Sequence, residues 1–123
     1  MDNRIFYFDA LKVAKLENMR GGKGPMDSRM SFSPASPIVG SHFAAAGLNT
    51  LMPGSSVGFH EHLQDEEIYV IFSGNGHYVD NDGKKHPVKP GDLTLCCQGE
   101  KHGLENTGSE PLTFIAVISS PKV

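Results

Sequence analysis

His60 and His62 are separated by one residue within a stretch, residues 57–62, that reads as a strand. Successive side chains of a strand point to opposite faces, so residues two apart share a face and the two imidazoles project together. Glu67 opens the next strand candidate, residues 67–72, after a short turn. Pairing of the two strands would bring its carboxylate beside the rings, with Glu66 pointing the other way. Imidazole nitrogen combined with carboxylate oxygen suits a divalent Mn, Fe, Co, Ni, Cu or Zn ion better than Ca or Mg. The same His-x-His pair also reads as two surface residues on a hairpin edge, and spacing alone leaves both readings open.

The elements that must position these groups are short strands. The chain has 123 residues and a mass of 13.3 kDa, enough for one compact domain. Fourteen Gly and eight Pro interrupt nearly every stretch that might form a long helix. Residues 4–8 form an aromatic strand candidate, and residues 9–19 fit a strand or a brief helical turn. Residues 18–25, with three Gly and a Pro, read as loop. Past residue 40 the pattern predicts strands over 42–46, 48–52, 57–62, 67–72, 77–79, 85–88, 92–96, 102–105 and 112–119. Pro53-Gly54, Ser73 to Gly76, the hairpin signal Asp82-Gly83, and Pro90-Gly91 punctuate them. Strands at roughly 8–12-residue intervals predict an all-β sandwich or barrel. Residues 1–40 are expected to supply a strand and loop packing on a single barrel of residues 41–123.

Two segments carry a more specific signal. The first has Gly54, His60, His62, Glu67 and Gly74, and it resembles the first motif of the cupin superfamily at every fixed position. The second has Gly91, Cys97, Gly99, His102 and Asn106, and it resembles the second cupin motif with Cys97 where that family has Pro. Nine of ten fixed positions match in order and spacing, and sixteen residues separate the motifs. The resemblance implies an antiparallel double-stranded β-helix, or jelly-roll, barrel of roughly six to eight strands with one divalent transition metal near its mouth. The ligand set it implies is His60, His62, Glu67 and His102, the last supplied by the resemblance alone. His42, His77 and His86 match no ligand position and read as ordinary strand or turn residues. Cys97 removes a Pro that would stiffen the turn before His102, predicting a looser loop there, while Cys96 reads as a small apolar core residue.

Three His and one Glu leave open positions on an octahedral ion, where a small oxygen-rich ligand could bind. By alternation Tyr69 and Ile71 share the inward phase of Glu67, with Phe72 out of phase, and Asn49 and Leu51 face the opposite wall. Tyr69 reads either as packed core or as an acid/base. Arg20, among glycines, reads either as a solvated loop residue or as a bidentate clamp for a carboxylate. Two functions follow: a metal-dependent enzyme acting on a sugar derivative, keto acid or dicarboxylate, or a non-catalytic barrel that binds or senses such a molecule. One barrel supports many chemistries, so the fold does not select between them.

The net charge of −3 and pI near 6.0 argue against a nucleic-acid backbone binder. The longest unbroken apolar runs, 68–72 and 114–118, are five residues each, far short of a membrane span. The polar N-terminus and two adjacent thiols that cannot bridge without strain predict a cytoplasmic protein. Proteins similar to this one are usually homodimers, and strand 4–8 could add to a partner's sheet edge.

Overall fold

The computed structural model describes residues 4–120. Ten strands are found among them: β1 (Ala14–Glu17), β2 (Pro25–Phe32), β3 (Phe43–Leu51), β4 (Ser56–Glu61), β5 (Glu66–Ser73), β6 (Gly76–Val79), β7 (Lys85–Val88), β8 (Leu93–Cys96), β9 (Lys101–Glu105) and β10 (Leu112–Ser119). They form two antiparallel sheets, ordered β1-β2-β3-β10-β5-β8 and β4-β9-β6-β7. This is the jelly-roll architecture expected, with more strands than the motif core alone implies. Leu51, Tyr69, Ile71, Leu112 and Phe114 from the large sheet pack against Val57, Tyr78, Val88 and Leu104 from the small one. Alternation along β5 is as read: Glu67, Tyr69 and Ile71 are buried, whereas Phe72 is 65% exposed.

The Asp82-Gly83 hairpin forms between β6 and β7. Gly83 takes a left-handed φ of 80°, and the Asp80 carboxylate accepts from the amides of Asp82 and Lys84 at 2.9 and 3.0 Å. The strands predicted over 42–46 and 48–52 are one, because Gly47 stays extended. A Cβ there would come within 2.4 Å of the Met30 sulfur, so the missing side chain lets Met30 lie across the strand.

The first 40 residues depart most from expectation. Residues 4–7 form no strand, and Phe8–Ala10 is a single 3-10 turn. Phe6 meets Phe32 with ring centroids 5.6 Å apart, and the Phe8 carbonyl accepts from the Leu11 amide at 3.1 Å and from the Arg29 guanidinium at 2.9 Å in place of a strand ladder. Residues 18–25 are also more ordered than a loop. Met19–Gly21 is a 3-10 turn, and Pro25 already begins β2. The turn is pinned where the Asn18 amide donates to the Gly24 carbonyl and the Gly24 amide donates to the Asn18 side-chain oxygen, and Lys23 bonds both the backbone and the hydroxyl of Ser56. β2 then joins the large sheet between β1 and β3.

Candidate metal centre

β4 and β9 pair with Val57 opposite Leu104 and His60 opposite His102, so β4 carries one extra residue, a β-bulge at Gly58 and Phe59. The bulge resets the alternation. Val57 points inward, and so do His60 and His62, while Phe59 is left 47% exposed. The Gly58 carbonyl freed by the bulge accepts from His60 Nδ1 at 2.6 Å and orients that ring. Gly58 is glycine for a steric reason as well, since a Cβ would sit 2.3 Å from the Arg20 carbonyl and 2.7 Å from the Gly22 amide. Replacing Gly58 with Val should cost about 1–3 kcal/mol by overpacking. It should also displace His60 and Arg20 together, to be read as parallel losses in thermal stability and in metal affinity.

Across the barrel, β5 supplies Glu67 and β9 supplies His102. His62 Nε2 lies 3.1 Å from His60 Nε2, 3.0 Å from His102 Nε2 and 3.1 Å from Glu67 Oε1, and Glu67 Oε1 is 3.0 Å from His102 Nε2. All four donor atoms fall within 4.8 Å of one another. Each ring's other nitrogen has its own partner: His60 Nδ1 the Gly58 carbonyl, His62 Nδ1 the Asp65 carboxylate at 2.6 Å, and His102 Nδ1 the Tyr78 hydroxyl at 3.0 Å. With protons on the three Nδ1 atoms, three Nε2 lone pairs converge on one point beside a carboxylate. That arrangement is repulsive unless a cation sits between them. Adjacent donors on an octahedral ion with bonds of about 2.1 Å stand about 3.0 Å apart, and the observed spacings match. The four groups could hold one divalent ion.

The electrostatics agree. Burial works to raise the Glu67 carboxyl, but where His102 and His62 carry an Nε2 proton their hydrogen bonds to it outweigh burial and hold it at about 2, so it stays ionised. His60 is lowered to about 4, chiefly by burial, with His102, Arg20 and His62 pushing the same way against the Gly58 bond. His62 is raised, first by its bond to Glu67 and further by Asp65, with burial opposing. Asp65 is therefore a positioning group for His62. Exchanging it for Asn should weaken metal binding by about 10–100-fold while leaving the fold intact, as titration with a competing chelator would measure.

A cavity of about 570 Å³ opens beside the cluster. Tyr69, 2% exposed, stacks on His102 with centroids 4.7 Å apart, and burial, with the Glu67 charge beside it, pushes its phenol well up. Asn49 lines the far wall, buried, with no partner for its Oδ1 among the described residues. Arg20 stands at the exposed rim, its backbone left-handed at φ 54°, with no ion-pair partner among the described residues. His77 bonds Thr107 and His86 bonds Asp80, both away from the cluster, and His42 is exposed. Cys97 is exposed and takes no part in the cluster, while Cys96 is buried under β5.

The turn at Cys97 is tied where a looser loop was expected. The Cys97 amide, which Pro would lack, donates to the Glu100 carboxylate at 2.9 Å, and Gly99 and Glu100 exchange backbone bonds with His62. Sequence reasoning missed Asp65 and Tyr78, the bulge at Gly58, and the cavity wall from β2. The alternation Met26, Ser28, Met30 against Asp27, Arg29, Ser31 carried that last signal.

A model of the cupin domain matches residues 47–118, more than half of the chain. The chain belongs to the cupin family. This cupin is 41% identical over 104 residues to an oxalate-binding protein of Thermotoga maritima, covering 85% of this chain and 84% of that one. It superposes on the crystal structure of a predicted oxalate decarboxylase from Thermotoga maritima with a TM-score of 0.87 at 37% identity, covering 95% of this cupin and 99% of that chain. A sugar phosphate isomerase of the cupin superfamily from Silicibacter pomeroyi shares the fold at 23% identity and a TM-score of 0.73, covering 95% of this cupin and 76% of that chain. No helix among the described residues of this cupin is long and apolar enough to cross a membrane.

Proposed function

We propose that this cupin holds one Mn, Fe, Co, Ni, Cu or Zn ion on His60, His62, Glu67 and His102, and is a metal-dependent enzyme acting on a small oxygen-rich acid. The observation that carries this reading is the convergence of three Nε2 lone pairs and an ionised carboxylate at the floor of an open cavity. The bound ion would supply a Lewis acid for a carboxylate, enediol or 2-oxo oxygen. The residues do the rest. The Arg20 guanidinium at the rim pairs with an outward carboxylate oxygen. Tyr69, kept neutral by burial, stacks on His102 and does not act as a base. The Asn49 oxygen accepts a ligand hydroxyl or N–H. The names of the two Thermotoga relatives favour a dicarboxylate or keto acid over a sugar derivative.

A non-catalytic acid-binding barrel is the second reading, favoured by the relative named for binding oxalate. Elemental analysis of protein purified without chelators, beside a His60→Ala, His102→Ala double variant, tests the site. About one equivalent of metal, lost in the variant, is expected, and a metal-free parent even after reconstitution would sink the reading. Turnover of oxalate or a 2-oxo acid by the loaded protein, against binding without turnover, separates the two functions. A homodimer and a reducing, cytoplasmic setting complete the proposal. The outward residues Leu93, Leu95, Ile68, Val70, Ile115 and Val117 form one apolar face across β8, β5 and β10, and both thiols are free. Sedimentation as a monomer at micromolar concentration would overturn the dimer.

A further inference from the structure

The cavity is much larger than its chelating end requires. Its volume of about 570 Å³ lies within the ~300–1,000 Å³ range of sites that enclose whole drug-sized ligands. An oxalate ion, two carboxylates with nothing between them, would leave most of it as water against apolar walls. The strand register shows where the spare room lies. Tyr69 on β5 stands opposite Ala116 on β10, Ala116 opposite Gly47 on β3, and Gly47 opposite Met30 on β2. Four consecutive neighbours span three inter-strand spacings, about 14 Å. Ala116 carries only a methyl, and the Met30 side chain lies over Gly47 in place of the side chain it lacks. In the next row, Glu67 to Ile118 to Ala45, the Ile118 side chain walls one side and Ala45 leaves room beyond it. A shallow trough therefore leads from the Glu67 and Tyr69 end of the site across the large sheet to Met30, with Met26 and Leu16 beyond. Gly47 is needed for the end wall, because the Met30 side chain lies over it and a Cβ there would displace the sulfur. Methionine is unbranched and polarizable and adapts to irregular apolar shapes, which suits a wall that closes around a hydrocarbon body.

We infer that the ligand of this site is a carboxylic acid whose metal-chelating end carries an apolar body lying over Ala116 and Ala45 against Met30, and that oxalate fills only the head position. The inference rests on the metal-site reading for where the acid group sits. The body's place follows from the trough alone.

Calorimetric titration of oxalate, 2-oxobutanoate, 2-oxohexanoate and 2-oxooctanoate tests it, using protein loaded with Mn²⁺ or Zn²⁺ and the same protein stripped with chelator. Each fully buried methylene is worth about fourfold in affinity, and ordering the chain takes part of that back. At least about a tenfold gain from 2-oxobutanoate to 2-oxooctanoate is expected. Filling the trough by Ala116→Leu, or by Ala45→Leu should the first variant not fold, is expected to flatten the series. Affinity independent of chain length in the parent, or a gain that persists undiminished in the filled variants, overturns the inference. The two readings fail differently. Metal-dependent oxalate binding with a flat series keeps the metal centre and removes the trough. A rising series in protein that takes up no metal keeps the trough and removes the metal centre.

Discussion

Loading the metal-free protein with a divalent transition metal at a hundred times its dissociation constant should raise the melting temperature by about 10 °C. A ligand that binds only the folded state stabilises by about 2.7 kcal/mol at that concentration, and each kilocalorie is worth about 4 °C in a chain of this size. Glu67→Gln should abolish most of the shift, because it leaves three neutral imidazoles facing one another without the carboxylate that balances the ion's charge. The gain should also shrink on acidification, in an order the site dictates. A proton competes with the metal for each imidazole. His62 is raised above its ordinary value and protonates before His60, which stays neutral to about 4, while Glu67 stays ionised to about 2. His62 has the opposite sign in the metal-free protein. Its folded-state pKa lies above that of the unfolded chain, so its contribution is fully present below about 6.5 and is lost as pH rises through the raised value. From pH 8 to 6 its contribution should therefore stabilise the stripped protein, while the metal's contribution to the loaded protein falls. Melting curves of both forms on one pH axis check this, and parallel movement of the two would contradict it.

Phe114→Ala should lower the melting temperature of the metal-free protein by about 10–20 °C. Phe114 is 1% exposed in the central strand β10, and truncating a buried Phe costs about 3–5 kcal/mol in lost burial and residual cavity. The damage should reach the metal centre too. Phe114 meets Tyr69 at 4.9 Å with the rings tilted by 63°, and Tyr69 stacks on His102 at 4.7 Å. Removing the first ring frees the second, which is what holds the His102 imidazole in plane. Metal affinity measured well below the melting point should fall along with stability. A variant that melts early yet binds metal at full strength would show that the Tyr69 stack does not position His102.

The site's chemistry was legible in the sequence because it rests on the simplest periodicity. His60 and His62, and likewise Glu67, Tyr69 and Ile71, lie two apart on strands, and the pleat puts them on one face. The Asp82-Gly83 turn was legible for a similar local reason, since few residues accept its backbone angles. What escaped was decided by tertiary contacts. Nothing in residues 4–8 tells that Arg29 will satisfy the Phe8 carbonyl from the side, so an aromatic strand pattern produced no strand. A bulge breaks the alternation it sits in, so Gly58 hid the inward turn of Val57 while leaving His60 and His62 in phase. β2 was hidden by its setting: a short alternating run between a glycine-rich turn and a proline-broken stretch gains its partners only from β1 and β3.

The backbone of Arg20 carries a consequence for how this protein responds to selection. Holding a side chain other than glycine at φ 54° costs about 1 kcal/mol, and in the proposed function the return is a guanidinium at the cavity rim that has no ion-pair partner among the described residues. Arg20→Gly should therefore be at least as heat-resistant as the parent while binding carboxylates more weakly. Laboratory evolution for thermostability alone would discard this arginine early, whereas evolution under demand for the ligand would keep it. Position 20 is where durability and recognition pull the chain in opposite directions.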